Sequence, residues 1–259
     1  MADDSITVTV LGSGTSHGVP MIACDCAVCT SSDPRDRRTR PSVTIRYGKT
    51  TLLVDTAPEL RLQCLANDVR RVDAVLFTHH HVDHVTGLDD IRRFNWVQDA
   101  AIPCYGQEAT LQRLRAMFEY VFDEDPDYPS AKPRLTLHRI DGPIEIGGRR
   151  VTPIPLLHGE LPVLGFRVGD FAYCTDVSRI PAESWLLLER LDVLILDALR
   201  KRPHPTHFNL DQAVDHARRI AARRTFFTHI AHELAHEATN RELPAGMALA
   251  YDTQVIHSE

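Results

Sequence analysis

The sequence predicts an α/β fold in which two sheets, each covered by helices, share an edge that carries one site. Three observations predict it. Short apolar and β-branched runs alternate with helix-patterned stretches along the chain, the mark of sheets layered with helices. Four of the predicted strands stop at a side chain able to bind a metal or move a proton, namely His79, His158, Asp176 and His229, and donors at strand ends make a rigid site. No internal repeat explains that recurrence and no linker-like tract divides the halves, so residues 1–259 read as one domain.

Ile6-Thr7-Val8-Thr9-Val10-Leu11 reads as the first strand. It breaks at Gly12-Ser13-Gly14, where two glycines let the backbone turn tightly or come close to a ligand. The third glycine of a dinucleotide fingerprint does not follow, which sets that reading aside. Residues 42–47 and 51–55 flank Gly48-Lys49 as a β-hairpin. Residues 58–67 are patterned as a helix, 73–77 as a buried strand, 87–94 as a helix, 102–105 as a short strand and 110–122 as a longer helix. The acidic stretch 123–129 reads as a loop, either a surface connection or a lid. From Leu135 onward strands return, at 144–146, at 151–157, and at 165–168 turned through Gly169-Asp170 into 171–174. A helix over 181–190, a fully buried strand over 192–197 and a strand over 224–228 are predicted next, with an amphipathic helix over 210–223 that puts Ala213, Ala217 and Ile220 on one face.

The chemistry concentrates in Thr78-His79-His80-His81-Val82-Asp83-His84. His79, His81, Asp83 and His84 place three imidazoles and a carboxylate within six residues, directly after a buried strand that holds their loop still. Cys24, Cys26 and Cys29 bring three thiolates close enough to take three corners of a zinc tetrahedron, with the fourth from elsewhere; chance clustering of buried cysteines is the alternative. Asp55, at the end of the predicted hairpin, admits two readings: it caps a turn, or it orients a metal-ligating imidazole. The basic run 35–40 reads as a solvated face, with phosphate or partner contact as the alternative.

A net charge of −6 supplies no basic field for nucleic acid, so no dedicated nucleic-acid surface is expected. A small anionic substrate has to be attracted locally, by metals or a few arginines. The acidic start Met1-Ala2-Asp3-Asp4-Ser5 lacks the basic and then apolar segments of an export signal, and no apolar run is long enough to span a bilayer. Cytoplasm is therefore the expected compartment, where six cysteines serve as thiols or ligands rather than disulfides.

The set Thr78-His79-x-His81-x-Asp83-His84, His158, Asp176 and His229, in this order and these settings, resembles the metallo-β-lactamase superfamily. The resemblance implies a four-layer αββα sandwich around a two-metal centre. His79, His81 and His158 would bind the first ion and Asp83, His84 and His229 the second, with Asp176 bridging them and His80 at a variable position. Leu11-Gly12-Ser13-Gly14, Gly18-Val19-Pro20 and Cys24-x-Cys26-x-x-Cys29 further resemble the PhnP-like branch, phosphodiesterases that open ribosyl cyclic phosphates. In that branch the cysteines form a structural zinc site, whose fourth ligand corresponds to His232, and a histidine before a helix, at the place of His207, assists at the phosphate. The implied cofactors are two divalent ions, zinc or manganese, and one structural zinc; the implied assembly is a homodimer. The implied activity is hydrolysis of a small phosphodiester, cyclic ribosyl or nucleotide-like, by a hydroxide activated between two metals, with His207 as general acid. His207 and Asp83 are the catalytic candidates. The chain departs from the branch at 200–204 and at 107–133.

Other readings compete. The same fold serves thioesters, lactams and the 3′ ends of precursor tRNA, although the basic inserted arm of the tRNA nucleases is not visible here, and a relative in cofactor biosynthesis shares the cysteine cluster. His232-Glu233-Leu234-Ala235-His236 matches the zinc metalloprotease motif, which requires a helix that puts both imidazoles on one face. A non-catalytic metal-binding module is the remaining class.

Overall fold

The computed structural model describes residues 5–123 and 130–258; residues 1–4, Glu259 and most of the predicted acidic loop, 124–129, lie outside the described residues. The chain first lays down β1 (Ile6–Gly12), β2 (Ser42–Tyr47), β3 (Thr50–Val54), β4 (Ala74–Leu76), β5 (Ile102–Gly106) and β6 (Leu135–Arg139). It then builds a second sheet from β7 (Ile144–Ile146), β8 (Arg149–His158), β9 (Leu161–Val168), β10 (Phe171–Cys174), β11 (Val193–Asp197), β12 (Arg224–Thr228) and β13 (Met247–Leu249). Finally β14 (Val255–Ser258) returns to pair antiparallel with β1. The sheet orders are β14-β1-β2-β3-β4-β5-β6 and β13-β12-β11-β10-β9-β8-β7.

Each sheet is antiparallel in one half and parallel in the other: β3 to β6 run parallel, as do β10 to β13. The carboxyl ends of β3, β4, β8, β10, β11 and β12 carry Asp55, His79, His158, Asp176, Asp197 and His229 or lead directly into them. Ligand sites in α/β sheets form at such carboxyl ends, so the topology alone gathers these side chains.

The alternating burial of the strands separates three layers of apolar packing. Leu52 and Val54 join Val8, Ile45, Phe166, Tyr173 and Ile195 between the sheets. Leu53, one residue out of phase, faces the other way and packs with Leu60, Ile91 and Leu111 under the helices of the first sheet. In β11, Val193 and Ile195 point into the sandwich while Leu194 and Leu196 meet Leu210, Ala213 and Ala217 of the outer helix, which accounts for its continuous apolar run. The fold is thus a four-layer αββα sandwich.

The helices are α1 (Leu60–Ala66), α2 (Val82–Val85), α3 (Arg92–Gln98), α4 (Glu108–Met117), α5 (Glu119–Phe122), α6 (Leu210–Ile220) and α7 (His236–Glu242). Asn209 and Gln212 close a reciprocal capping box at the start of α6. The predicted helix 110–122 is broken at Phe118, whose φ of −122° and ψ of 44° leave the helical region. The predicted helix 181–190 is a 3-10 turn over Ala182–Leu188; there the Ser184 hydroxyl donates to the Pro155 carbonyl at 2.5 Å, drawing the turn against β8. The helix α7 and the strands β13 and β14 were not among the elements expected.

Gly12 and Gly14 serve the chain rather than a ligand. A Cβ at Gly12 would lie 2.0 Å from the Arg40 carbonyl oxygen, and one at Gly14 2.7 Å from that of Arg38. The basic run 35–40 is likewise no uniform solvated face, because Arg38 is 1% exposed. Its guanidinium donates to Asp36 Oδ1 at 2.9 Å and to the carbonyls of Leu234 at 2.7 Å and Ala231 at 3.2 Å, tying the cysteine-bearing loop to the segment after β12. Arg38→Met leaves the buried Asp36 carboxylate and two carbonyls without this donor. It is expected to lower the unfolding free energy by about 3 kcal/mol, read as a lower urea midpoint at unchanged m; a loss below about 1 kcal/mol would make the pair dispensable.

Candidate active site

The site begins with Asp55, fully buried and held at a φ of +62° just after β3. Its carboxylate accepts the Thr78 N–H at 2.9 Å, the Thr78 hydroxyl at 2.8 Å and the His84 Nδ1–H at 2.7 Å. Because that hydroxyl proton points at Asp55, the Thr78 oxygen accepts the Nδ1–H of His79 at 3.0 Å. One carboxylate therefore sets the tautomer of two imidazoles and leaves both Nε2 atoms for another partner. Of the two readings of Asp55, the orienting role fits this geometry.

Asp83 and His84 lie on α2, a single helical turn with His81 at its N-cap, rather than on an open loop. The turn is pinned to the chain after β3, where the Thr56 N–H donates to the His84 carbonyl at 2.7 Å and the Thr56 hydroxyl to Val85 at 3.0 Å. His158 at the end of β8 donates Nδ1–H to the Thr206 carbonyl at 2.7 Å.

Asp176, 2% exposed and at a φ of +56°, occupies the centre. Five imidazoles surround its carboxylate through Nε2: His84 at 3.3 Å, His229 at 3.4 Å, His79 at 3.8 Å, His207 at 3.9 Å and His158 at 4.0 Å. Asp83 Oδ2 sits 3.4 Å from His84 Nε2 and 3.5 Å from His229 Nε2. His229 also has a positive φ, 61°. Three site residues thus hold a backbone conformation that side-chain-bearing residues seldom adopt, and such strain gathers where function requires it.

The donor atoms of His79, His81, His158 and Asp176 converge, as do those of Asp83, His84 and His229 and those of Asp176, His207 and His229. His80 joins none of the donor groups among the described residues. The buried Nε2 atoms of His79, His84 and His229 have no hydrogen-bond partner among the described residues, and a buried imidazole nitrogen left unpaired is costly unless it meets a proton or a metal. The donor set of nitrogens and carboxylates suits zinc, manganese or a similar divalent ion.

Without metal, charge is balanced by protons. Burial works against charge on His84, but the Asp176, Asp83 and Asp55 carboxylates override it and hold His84 well above the ordinary histidine range. His229 follows the same pattern, burial opposing and Asp176 and Asp83 raising it to about 9. For His79 burial prevails, aided by the neighbouring His84, and its imidazole stays well below that range.

Asp197, at the end of β11, is a site residue that the sequence pattern does not single out. Its Oδ2 accepts His207 Nδ1–H at 3.0 Å and the Val177 N–H at 3.0 Å, so the His207 Nε2 is turned toward Asp176. The signal was there, since Asp197 ends a parallel strand beside two others that end in donors.

At the cysteine cluster, His232 Nδ1 lies 3.2 Å from Cys24 Sγ, 3.4 Å from Cys26 Sγ and 3.6 Å from Cys29 Sγ. A zinc tetrahedron with Zn–S near 2.3 Å and Zn–N near 2.0 Å has N···S edges of about 3.5 Å, so the four residues fit zinc. The Cys29 N–H directed at Cys26 Sγ helps to draw that thiol down to about 6. This arrangement overturns the metalloprotease reading. His232 faces the cysteines, Glu233 pairs with Arg202 at 2.8 Å, and α7 begins only at His236. His236 is 3% exposed, its ring against Tyr251, and burial lowers its imidazole to about 4.

The beta-lactamase superfamily domain is matched over residues 50–230. This chain belongs to that superfamily. Within it the chain is a PhnP-like metallo-β-lactamase: a solved diphosphatase of the PhnP family is 46% identical, with a TM-score of 0.92 over 98% of this chain and 97% of that one. The octanoyltransferase of Porphyromonas gingivalis is 37% identical over 94% of this chain but 50% of its own length, so the chain spans about half of that curated relative. Zinc-bound PqqB of Methylobacterium extorquens, 20% identical with a TM-score of 0.76 over 96% of this chain and 99% of that one, shares the fold. Among the described residues no helix is long and apolar enough to cross a membrane.

Two outcomes follow from this metallo-β-lactamase site. Asp55→Ala frees the rings of His84 and His79 and is expected to weaken active-site metal binding about 10- to 100-fold, measured by competition with a chromogenic chelator. With its pKa raised to about 9, His229 holds a second ring proton at pH 7, which it would have to give up to ligate an ion through Nε2. Metal uptake at pH 7 is therefore expected to release protons, with the release shrinking above about pH 9; calorimetry in buffers of different ionisation enthalpy reads both, and uptake without release at pH 7 would contradict the charge balance.

Proposed function

We propose that this chain is a metal-dependent hydrolase of small phosphodiesters, cyclic ribosyl or nucleotide-like, with His207 as the general acid. The observation that carries the reading is the Asp197–His207 pair set against the Asp176 cluster, where an oriented imidazole faces the place at which metal ligands converge. His79, His81 and His158 would hold one ion and Asp83, His84 and His229 the other, with Asp176 shared. When bound, two such ions supply Lewis-acid stabilisation of phosphoryl charge and a water nucleophile at neutral pH.

The protein's own part is positioning and proton transfer. Asp55 and Thr78 hold His84 and His79 by Nδ1, and the Thr206 carbonyl holds His158 in the same way. Asp197 fixes the proton of His207 on Nδ1 in the resting tautomer and stabilises the imidazolium once Nε2 also gains one. From Nε2 that proton passes to the departing alkoxide. Asp197 is a positioning residue in this scheme, and Asp83 acts as a ligand that also braces His229.

The resemblance to a PhnP-family diphosphatase supports phosphorus as the reacting centre. The octanoyltransferase relative favours an acyl reading instead, and an octanoyl thioester belongs in the same assay; the phosphodiester reading expects no turnover of it. His207→Ala is expected to lower turnover of bis(4-nitrophenyl) phosphate about a hundredfold or more with metal content intact, whereas Asp176→Ala is expected to lose both metal and activity. An unchanged rate for His207→Ala would remove this residue from the reaction, and lost metal would make it a ligand rather than an acid.

A further inference from the structure

The rings of His207 and His229 stack, with centroids 4.6 Å apart and planes 19° from parallel, between two carboxylates. Their Nε2 atoms face Asp176 Oδ2, at 3.9 Å from His207 and 3.4 Å from His229. Their Nδ1 atoms face Asp197, His207 toward Oδ2 at 3.0 Å and His229 toward Oδ1 at 3.9 Å. The two oxygens of Asp197 differ in what they accept. Oδ2 takes the His207 Nδ1–H and the Val177 N–H, whereas the buried Oδ1 has no hydrogen-bond partner among the described residues, and neither has the buried Nδ1 of His229. In this His229 differs from His79, His84, His158 and His207, whose Nδ1 atoms are each committed. The backbone sets the two open atoms side by side. Asp197 faces Thr228 in the parallel register of β11 and β12, and the Ala198 N–H donates to the Thr228 carbonyl at 3.0 Å. A buried carboxylate oxygen and a buried ring nitrogen left open beside each other are both costly. The gap between them exceeds a hydrogen bond by about 1 Å.

We infer that Asp197 is a positioning residue for two imidazoles, holding His229 through Oδ1 as well as His207 through Oδ2. When His229 ligates through Nε2, its remaining proton lies on Nδ1 and requires an acceptor. Asp197 Oδ1 is open to it, and a displacement of about 1 Å closes the contact. One carboxylate then holds a metal ligand and the general acid as a stacked pair, so the alignment of His207 depends on the ligation of His229. The His229 half of the inference stands on ligation alone, and the His207 half rests on the phosphodiesterase reading.

The test is Asp197→Asn, alone and in the His207→Ala background. The Val177 N–H requires an acceptor, so the amide of the variant keeps its oxygen at the place of Oδ2 and turns its NH2 group to His229. Nδ1 of His229 must then accept, which sends the ring proton to Nε2, the ligating atom. The affinity of the active site for zinc, read by competition with a chromogenic chelator, is expected to fall about 10- to 100-fold in both backgrounds. NMR of the zinc-loaded wild type, carrying isotope-labelled histidine, is expected to show a proton on His229 Nδ1 that is protected from solvent exchange, a protection that Asp197→Asn loses. Unchanged affinity, or a fall that disappears in the His207→Ala background, overturns the inference and leaves Asp197 to His207 alone. A fall in affinity with the His229 Nδ1 proton still protected overturns it as well, and assigns the loss to the backbone at Val177. Should the variant not fold, the wild-type spectrum decides: free exchange of the His229 Nδ1 proton overturns the contact, and protection supports it. No readout here uses turnover. Failure of the wild type on every phosphodiester would therefore remove the role of His207 and leave the Asp197–His229 contact standing.

Discussion

The buried carboxylate of Asp55 is the constraint on which the remainder of the site depends. It touches no solvent and accepts three hydrogen bonds, which is what a carboxylate requires to remain in a sandwich of aliphatic side chains. Burial nonetheless raises its pKa, against the pull of His84 and Thr78. The arrangement costs folding energy and returns it as orientation. His84 and His79 are held by their far nitrogens, so their near nitrogens converge on Asp176 without the entropy loss of stopping two free rings.

The same logic repeats around the site with different partners. Thr206 does for His158 what Asp55 does for His84, and Asp197 does it for His207. In each case a residue outside the donor set chooses the tautomer, and in each case the partner or the imidazole sits where a strand ends. The left-handed backbone of Asp55, Asp176 and His229 turns the chain away from the sheet at once, so the side chain is delivered at the edge rather than continuing the pleat. Regular strands supply rigidity, and one strained residue at each end supplies the direction.

Much of this was legible in the sequence. The motif from Thr78 to His84, the lone His158, Asp176 and His229 were visible because polar donors directly after apolar runs break the pattern of a strand. The hairpin of β2 and β3 followed from strand-like runs flanking turn residues, and the buried β11 from its continuous apolar run. What escaped was of another kind. Arg38 reads as one more charge in a basic run, and only tertiary structure reveals that it is enclosed by carbonyls from residues about two hundred positions away. Asp197 looks like a strand terminus until α6 brings His207 over it. The strands β13 and β14 are short and partly exposed, and their pairing is decided by neighbours distant in sequence. Helix α7 lay hidden beneath a protease-like spelling whose first histidine the cysteines claim.

The stretch from Thr228 to His232 joins two donor sets. His229 faces Asp83 and Asp176, while His232, three residues later, faces Cys24, Cys26 and Cys29. Between them Ile230 pairs with the Ser13–Thr15 loop, and Ala231 is tied to Leu199 and Arg38. A rigid tether this short transmits displacement, so the two sets are mechanically one part. An ion held by the cysteines would therefore splint the backbone that presents His229, and occupancy at one location would alter the grip at the other.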